Sequence, residues 1–335
     1  MSGIDILGTG CYAPSHTLSN DDLSTMVDTS DEWIYPRTGI KKRHISQTEN
    51  TSELAYQAAK KALENSGVSK EDIGFIIVAT CSADHIMPSV ACMLQKQLGL
   101  SEQVMAFDMN AACTGFVYAL SIANAMLATR PDKLALVIGA EVFSKMLDYT
   151  DRSTCILFGD GAGAVVVERC EASPGILGRA LHSDGTGGGV LQCGARELTT
   201  PYARTSAAKT DQKQQTDDRE HYIQMDGQEV YRFATRRVPQ CIEEALSDAG
   251  LAVPDIDMFV LHQANARIID AVAKRLHADR EKFPTNLERV GNLSSASIPV
   301  LLDEQHRQGK LHRGDRIVLA GFGAGLTIGA CVMTW

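Results

Sequence analysis

Asp72-Ile73-Gly74-Phe75-Ile76-Ile77-Val78 and Asp255-Ile256-Asp257-Met258-Phe259-Val260-Leu261 are two copies of one pattern, 183 residues apart. Each is an acidic residue followed by an apolar run, the signature of a strand buried on both faces. The segments ahead of them match at the same offset: Ala62-Leu63-Glu64-Asn65-Ser66-Gly67 and Ala245-Leu246-Ser247-Asp248-Ala249-Gly250. The first belongs to a helix expected to start at Thr51 as N-cap. Its apolar stripe is Leu54, Ala55, Ala58, Ala59, Ala62 and Leu63, and Gly67 ends it. Two matches without a gap argue for an internal duplication. Alternating helices and strands give an α/β architecture.

Outward from the first copy, Val104-Met105-Ala106-Phe107 reads as a strand and Gly115-Phe116-Val117-Tyr118-Ala119-Leu120 as the start of an apolar helix. Between them lies Asn110-Ala111-Ala112-Cys113-Thr114-Gly115-Phe116, which puts a thiol at a helix N-terminus. The macrodipole there favours the thiolate, the nucleophilic form. In the second copy the strand runs directly into His262. Gly291-Asn292-Leu293-Ser294-Ser295 resembles another loop-to-helix entry, with Asn292 about where Cys113 lies in the first copy. The duplication therefore predicts that Cys113, His262 and Asn292 meet near a pseudo-twofold axis. The halves are also expected to end alike, in glycine turns feeding strands: Gly159-Asp160-Gly161-Ala162-Gly163 and Gly321-Phe322-Gly323-Ala324-Gly325. Neither continues into Gly-Lys-Ser/Thr or opens a helix, so phosphate-loop and dinucleotide readings fail.

The formal net charge of −9 over 335 residues speaks against nucleic acid as a partner. The nine cysteines are odd in number and show no CxxC spacing, so a zinc ribbon or redox dithiol is poorly supported. Many unpaired thiols suit a reducing cytosol, and a cytoplasmic protein is expected. No signal peptide is evident and no apolar run is long enough for membrane insertion. Residues 195–220 are polar and aperiodic, and are expected to form an exposed excursion.

These segments together resemble the β-ketoacyl-acyl carrier protein synthase III family, the initiating condensing enzymes of bacterial fatty acid synthesis. The resemblance runs nearly end to end. It includes Asp28-Thr29-Ser30-Asp31-Glu32-Trp33-Ile34, Arg37-Thr38-Gly39-Ile40, Ala112-Cys113-Thr114-Gly115-Phe116, Asp151-Arg152, Phe158 to Gly163, His262-Gln263-Ala264-Asn265, Gly291-Asn292, Ser295-Ala296-Ser297 and Gly321 to Gly325. It implies a thiolase-like fold: two duplicated α/β halves in a five-layer αβαβα arrangement, as a homodimer. The halves would be residues 1–172, carrying the cysteine, and 173–335, carrying His262 and Asn292.

The resemblance further implies a decarboxylative Claisen condensation. Cys113 takes the acyl group from a short acyl-CoA. Malonyl-acyl carrier protein then loses carbon dioxide and attacks it. His262 and Asn292 would donate to the thioester oxygen that becomes negative. Backbone N–H groups of Cys113 and of Gly323-Ala324 would hold the acyl oxygen. Trp33 and Arg152 would flank the CoA adenine, with Thr29 and Arg37 nearby. Arg267, Lys274 and Arg275 would dock the acidic carrier protein, or form a merely solvated basic face. No metal and no cofactor beyond the two substrates is implied. Met87, Phe322 and Ile328 belong to the implied primer pocket. Met87 and Ile328 depart from its usual aromatic residues, which points to a longer or branched primer or to a compensated core swap. A polyketide starter-unit synthase or related acyltransferase would share the triad. A degenerate scaffold subunit is disfavoured because Cys113, His262 and Asn292 are all present.

Overall fold

A computed structural model describes residues 3–130, 133–170, 175–195 and 221–335. The 195–220 excursion lies, from residue 196, outside them. The strands are β1 (Gly3–Tyr12), β2 (Thr17–Ser19), β3 (Lys42–His44), β4 (Ile73–Ala79), β5 (Met105–Met109), β6 (Leu134–Val142), β7 (Asp160–Cys170), β8 (Ile176–Ser183), β9 (Leu191–Gln192), β10 (Gln224–Met225), β11 (Met258–Leu261), β12 (Arg316–Gly323) and β13 (Thr327–Thr334). The helices are α1 (Asn20–Ser24), α2 (Asp31–Thr38), α3 (Thr51–Ser66), α4 (Val90–Gln97), α5 (Gly115–Leu127), α6 (Gly227–Ala249), α7 (Ala266–Arg275), α8 (Leu287–Val290) and α9 (Ser297–Arg307).

Two sheets carry the duplication, in the orders β1-β7-β6-β4-β5 and β8-β13-β12-β11. In each, the repeated strand pairs parallel with the next: β4 with β6, and β11 with β12. The next two pairings are antiparallel in both sheets. Strand β5 has no equivalent in the second sheet among the described residues. The buried run of β4 is explained by its two neighbours. Phe75 and Ile77 pack against Phe116 and Leu120 of α5, and Leu301 and Leu302 of α9. Ile76 and Val78 face the other way, onto Leu54, Ala58 and Ala62 of α3. Successive side chains of a strand point to opposite faces. In the second sheet Val260 faces the central helices, while Phe259 and Leu261 meet α6 and α7. The layers therefore run α3/α4, sheet, α5/α9, sheet, α6/α7: the five-layer thiolase fold.

Three local expectations need correction. Asn50, not Thr51, caps α3, in a capping box with Glu53; the Thr51 hydroxyl is used elsewhere, donating to the Ser82 carbonyl. The two glycine runs are not equivalent turns. Gly161 and Gly163 lie inside β7, and Gly321 and Gly323 inside β12. The counterpart of β7 is β13, so the runs occupy different strands of their sheets.

The third correction concerns the counterpart of Cys113. Two matching elbows lead into the central helices, a 3-10 turn at Ala112–Thr114 before α5 and another at Ser294–Ala296 before α9. Ala112 (φ 46°) and Ser294 (φ 48°) hold the left-handed conformation, which costs a non-glycine residue about 1 kcal/mol or more. Asn110 Oδ1 accepts from the Ala112 N–H at 3.1 Å, and Asn292 Oδ1 from the Ser294 N–H at 2.8 Å. The offset here is 182, not 183. Asn292 thus corresponds to Asn110, and Cys113 to Ser295.

Candidate active site

The chain approaches Cys113 very closely from β12. A Cβ on Gly323 would lie 2.8 Å from the Cys113 backbone nitrogen, and one on Gly321 would lie 3.0 Å from its carbonyl oxygen. Gly139 plays the same part for Ser295 in the other half. Thr327 fastens the arrangement, its Oγ1 lying 3.1 Å from the Ala324 carbonyl, 3.2 Å from that of Ala111 and 2.9 Å from Thr114 Oγ1. The backbone of Cys113 and the half-buried Gly323-Ala324 turn are therefore held side by side.

Cys113 is 6% exposed. Burial pushes its thiol from the ordinary 9.0 up to about 12. That shift corresponds to about 4 kcal/mol against the thiolate. A helix N-terminus supplies at most about 2 kcal/mol in its favour. Desolvation wins, and the residue is a thiol rather than the thiolate that helix position alone suggested.

His262 extends the register of β11, its N–H donating to the Ala320 carbonyl at 2.8 Å. Its neighbour Gln263 is fully buried, donating to the Leu261 carbonyl and accepting from the Asn286 N–H. The imidazole meets Phe322 edge-on at 5.3 Å. Burial drives its pKa from 6.5 to about 3, so it is neutral at physiological pH. Its buried Nδ1 has no hydrogen-bond partner among the described residues. Asn292 is pinned by its backbone, whose N–H donates to Leu157 O at 2.9 Å and whose carbonyl accepts from the Gly159 N–H at 3.0 Å. Its Oδ1 is occupied by Ser294, so the side-chain NH₂ is the group left to face a ligand.

Cys113, His262 and Asn292 line one cleft of about 1220 Å³. Phe322, Phe158 and Leu326 make apolar walls, and Trp33, Arg37 and Arg267 lie on the same lining. At Trp33 the guanidinium carbons of Arg37 and Arg152 stand 4.7 and 5.0 Å from the ring centroid. Arg152 Nη1 also donates to the Asp28 carbonyl at 2.8 Å. Thr29 Oγ1 is buried without a hydrogen-bond partner among the described residues. Arg267, Lys274 and Arg275 are exposed on α7. Asn265 caps that helix and donates to the Arg37 carbonyl at 2.9 Å, tying α7 to α2. The remaining pocket residues separate. Phe322 lines the cleft. Ile328 sits behind it, opposite it in the β12–β13 ladder and 2% exposed, in the core under α6 and α7. Met87 is 81% exposed and does not line its own chain's cleft.

Several contributors escaped the sequence reading. Ser294, whose N–H holds Asn292 Oδ1, is in the sequence only one member of a loop-to-helix entry. Buried Glu141 is in hydrogen-bond contact with Ser82 and Ser295. Its signal was available: one carboxylate ending the apolar run Leu136-Val137-Ile138-Gly139-Ala140.

A buried thiol beside a neutral imidazole and a carboxamide, in a five-layer duplicated fold, defines the class of thiol-dependent condensing acyltransferases. Residues 107–185 match the family described as 3-Oxoacyl-[acyl-carrier-protein (ACP)] synthase III, and residues 246–335 its C-terminal family. The β-ketoacyl-[acyl-carrier-protein] synthase III of Clostridium acetobutylicum is 46% identical, over 100% of this chain and 99% of that one. The crystal structure of 3-oxoacyl-[acyl-carrier-protein] synthase III from Aquifex aeolicus superposes with a TM-score of 0.90 at 41% identity, covering 99% of this chain and 100% of the other. The priming β-ketosynthase of the R1128 polyketide pathway gives 0.89 at 35%, covering 99% and 96%. The chain belongs to the β-ketoacyl-acyl carrier protein synthase III family. Among the described residues no helix is long and apolar enough to cross a membrane.

Proposed function

We propose that this chain condenses a short acyl-CoA primer with malonyl-acyl carrier protein, through an acyl-Cys113 intermediate, to begin fatty acid synthesis. The observation that carries this reading is the shared cleft of Cys113, His262 and Asn292. In the first stage Cys113 Sγ bonds to the primer carbonyl and coenzyme A leaves, taking up the proton that the thiol gives up. The carbonyl oxygen, negative in transit, is held by the Cys113 and Gly323-Ala324 backbone. In the second stage the malonyl carboxylate leaves as carbon dioxide, and its electron pair moves onto the thioester oxygen. Neutral His262 and the Asn292 NH₂ donate to that oxygen. The new carbon–carbon bond then expels Cys113 as thiolate, which is reprotonated. Desolvation strengthens each of these donors.

Thr29, Trp33, Arg37 and Arg152 are read as the CoA site, in which adenine displaces an arginine from the Trp33 face. Arg267, Lys274 and Arg275 are read as the docking face for the acidic carrier. We read the halves as residues 1–172 and 173–335 of a cytoplasmic homodimer. All nine cysteines are unpaired, which suits a reducing compartment. Among the described residues strand β5 is an open sheet edge, with Met105 on it 45% exposed, and Ile86 and Met87 are 84 and 81% exposed. An apolar open edge calls for cover. Met87 can reach a primer channel only across such a dimer. The likeness to a polyketide priming ketosynthase keeps starter-unit synthesis as a second reading of the same chemistry.

Intact-mass detection of acylated protein across a panel of acyl-CoAs, followed by carbon dioxide release from malonyl-acyl carrier protein, tests the proposal. No adduct on Cys113, or release without a β-ketoacyl product, would end it.

A further inference from the structure

The second elbow has no nucleophile, yet it carries a buried polar cluster. Glu141, at the end of β6, is 0% exposed and sits beside Ser295, the pseudo-twofold counterpart of Cys113. Hydrogen-bond accounting assigns its protonation state. Ser295 Oγ lies 2.8 Å from the Ala79 carbonyl oxygen and 2.8 Å from Glu141 Oε1. A serine hydroxyl has one proton, and a carbonyl can only accept. With Ser295 donating to Ala79, the second contact is complete when Glu141 carries a proton on Oε1 and donates it to Ser295. On the other oxygen, Ser82 Oγ accepts from the Val142 N–H at 2.9 Å and donates to Glu141 Oε2 at 2.5 Å. The Cys81 N–H reaches Oε2 at 3.2 Å and Thr80 Oγ1 reaches it at 3.2 Å. Oε2 thus only accepts, leaving Oε1 as the protonated oxygen.

We propose that Glu141 is a positioning residue for the condensation: as a neutral carboxylic acid it clamps Ser295, and through the Ser294 backbone of that elbow it aims Asn292. The lever is short. Ser295 follows Ser294, whose N–H holds Asn292 Oδ1. The elbow also rests on Gly139, where a Cβ would fall 2.3 Å from the Ser295 carbonyl oxygen, so strand β6 supports it from two positions. Burial pushes the Glu141 carboxyl upward, which favours the protonated form. The ionisable groups facing it among the described residues are the Cys81 and Cys113 thiols and Lys145 from the following turn. Lys145 is already engaged by the Asn50 side chain at 2.7 Å.

The role rests on the condensation read above, so the test separates the two. An infrared spectrum of the wild-type protein in D₂O should show a carboxylic-acid C=O band that disappears in E141Q. That band reports on Glu141 whether or not the protein condenses. Glutamine keeps one donor for Ser295 and one acceptor for Ser82, so E141Q should rescue what E141A loses. In E141A, acyl loading of Cys113 should persist while the condensation kcat falls about 10- to 100-fold, the scale of a sub-ångström misplacement. Absence of the band, E141Q as impaired as E141A, or E141A condensing at the wild-type rate would overturn the assignment. Where E141A does not fold, the band and the E141Q rate decide.

Discussion

Gly323→Ala puts the packing around the nucleophile to a direct test. The added Cβ would lie 2.8 Å from the Cys113 backbone nitrogen, 3.0 Å from its Cβ and 3.3 Å from the Ala112 Cβ. Ordinary contact begins at 3.4 Å, so the nearest atom must retreat by about 0.6 Å. That atom is backbone, on an elbow already at positive φ and tied by Thr327 to both sides. A 1 Å misplacement of a reacting group costs about 10²-fold, so 0.6 Å translates to a loss of roughly 10- to 20-fold in the loading rate. Overpacking adds about 1–3 kcal/mol of destabilisation. The assay is a single-turnover time course of acyl-Cys113 formation by intact mass, with a thermal melt alongside. Gly185→Ala serves as control, since a Cβ there meets nothing within 4 Å. Wild-type loading by G323A with an unchanged melting temperature would refute the close approach of β12 to Cys113.

Further outcomes are expected elsewhere in the cleft. Asn292→Ala should leave loading intact and slow decarboxylation about 10²–10³-fold, as loss of one preorganised donor does; equal damage to both stages would contradict its assignment to the second. Because the free thiol ionises only near 12, alkylation of Cys113 by a neutral reagent should keep rising with pH above 9, and a plateau near neutrality would count against the buried thiol. The folded His262 holds its proton only below about 3, against an ordinary 6.5, so the unfolded chain binds more protons between these values. Stability should therefore fall as pH drops from 6.5 toward 3, and less steeply in H262Q, with a parallel decline in both proteins arguing against the depressed pKa. Lys274→Glu on the exposed end of α7 should raise KM for the carrier-borne substrate while sparing acyl-CoA loading, and an unchanged KM would remove α7 from the docking face.

The fold was legible because duplication writes a long-range fact into local pattern. Asp72 to Val78 and Asp255 to Leu261 announce two buried strands, and their common offset announces that one structure is built twice. The same offset pointed at Cys113, His262 and Asn292, though its one-residue drift hid the true pairing of Asn292 with Asn110. Gly67, a left-handed cap on α3, and the unbroken burial of β4 follow from short-range chemistry. The glycine runs misled because glycine in a turn and glycine under a crossing elbow look alike in one dimension.

What the chain determined by itself is the inventory: two α/β halves, one thiol at a helix entry, an imidazole at a strand end and a carboxamide at a second entry. The tertiary structure alone decided their states and surroundings. Burial, not the helix position, sets the Cys113 thiol near 12 and His262 near 3. It also placed Ile328 in the core, left Met87 exposed, and brought Glu141 against Ser295. Desolvation and proton sharing depend on which atoms meet across more than a hundred residues of chain, and no local pattern carries that information.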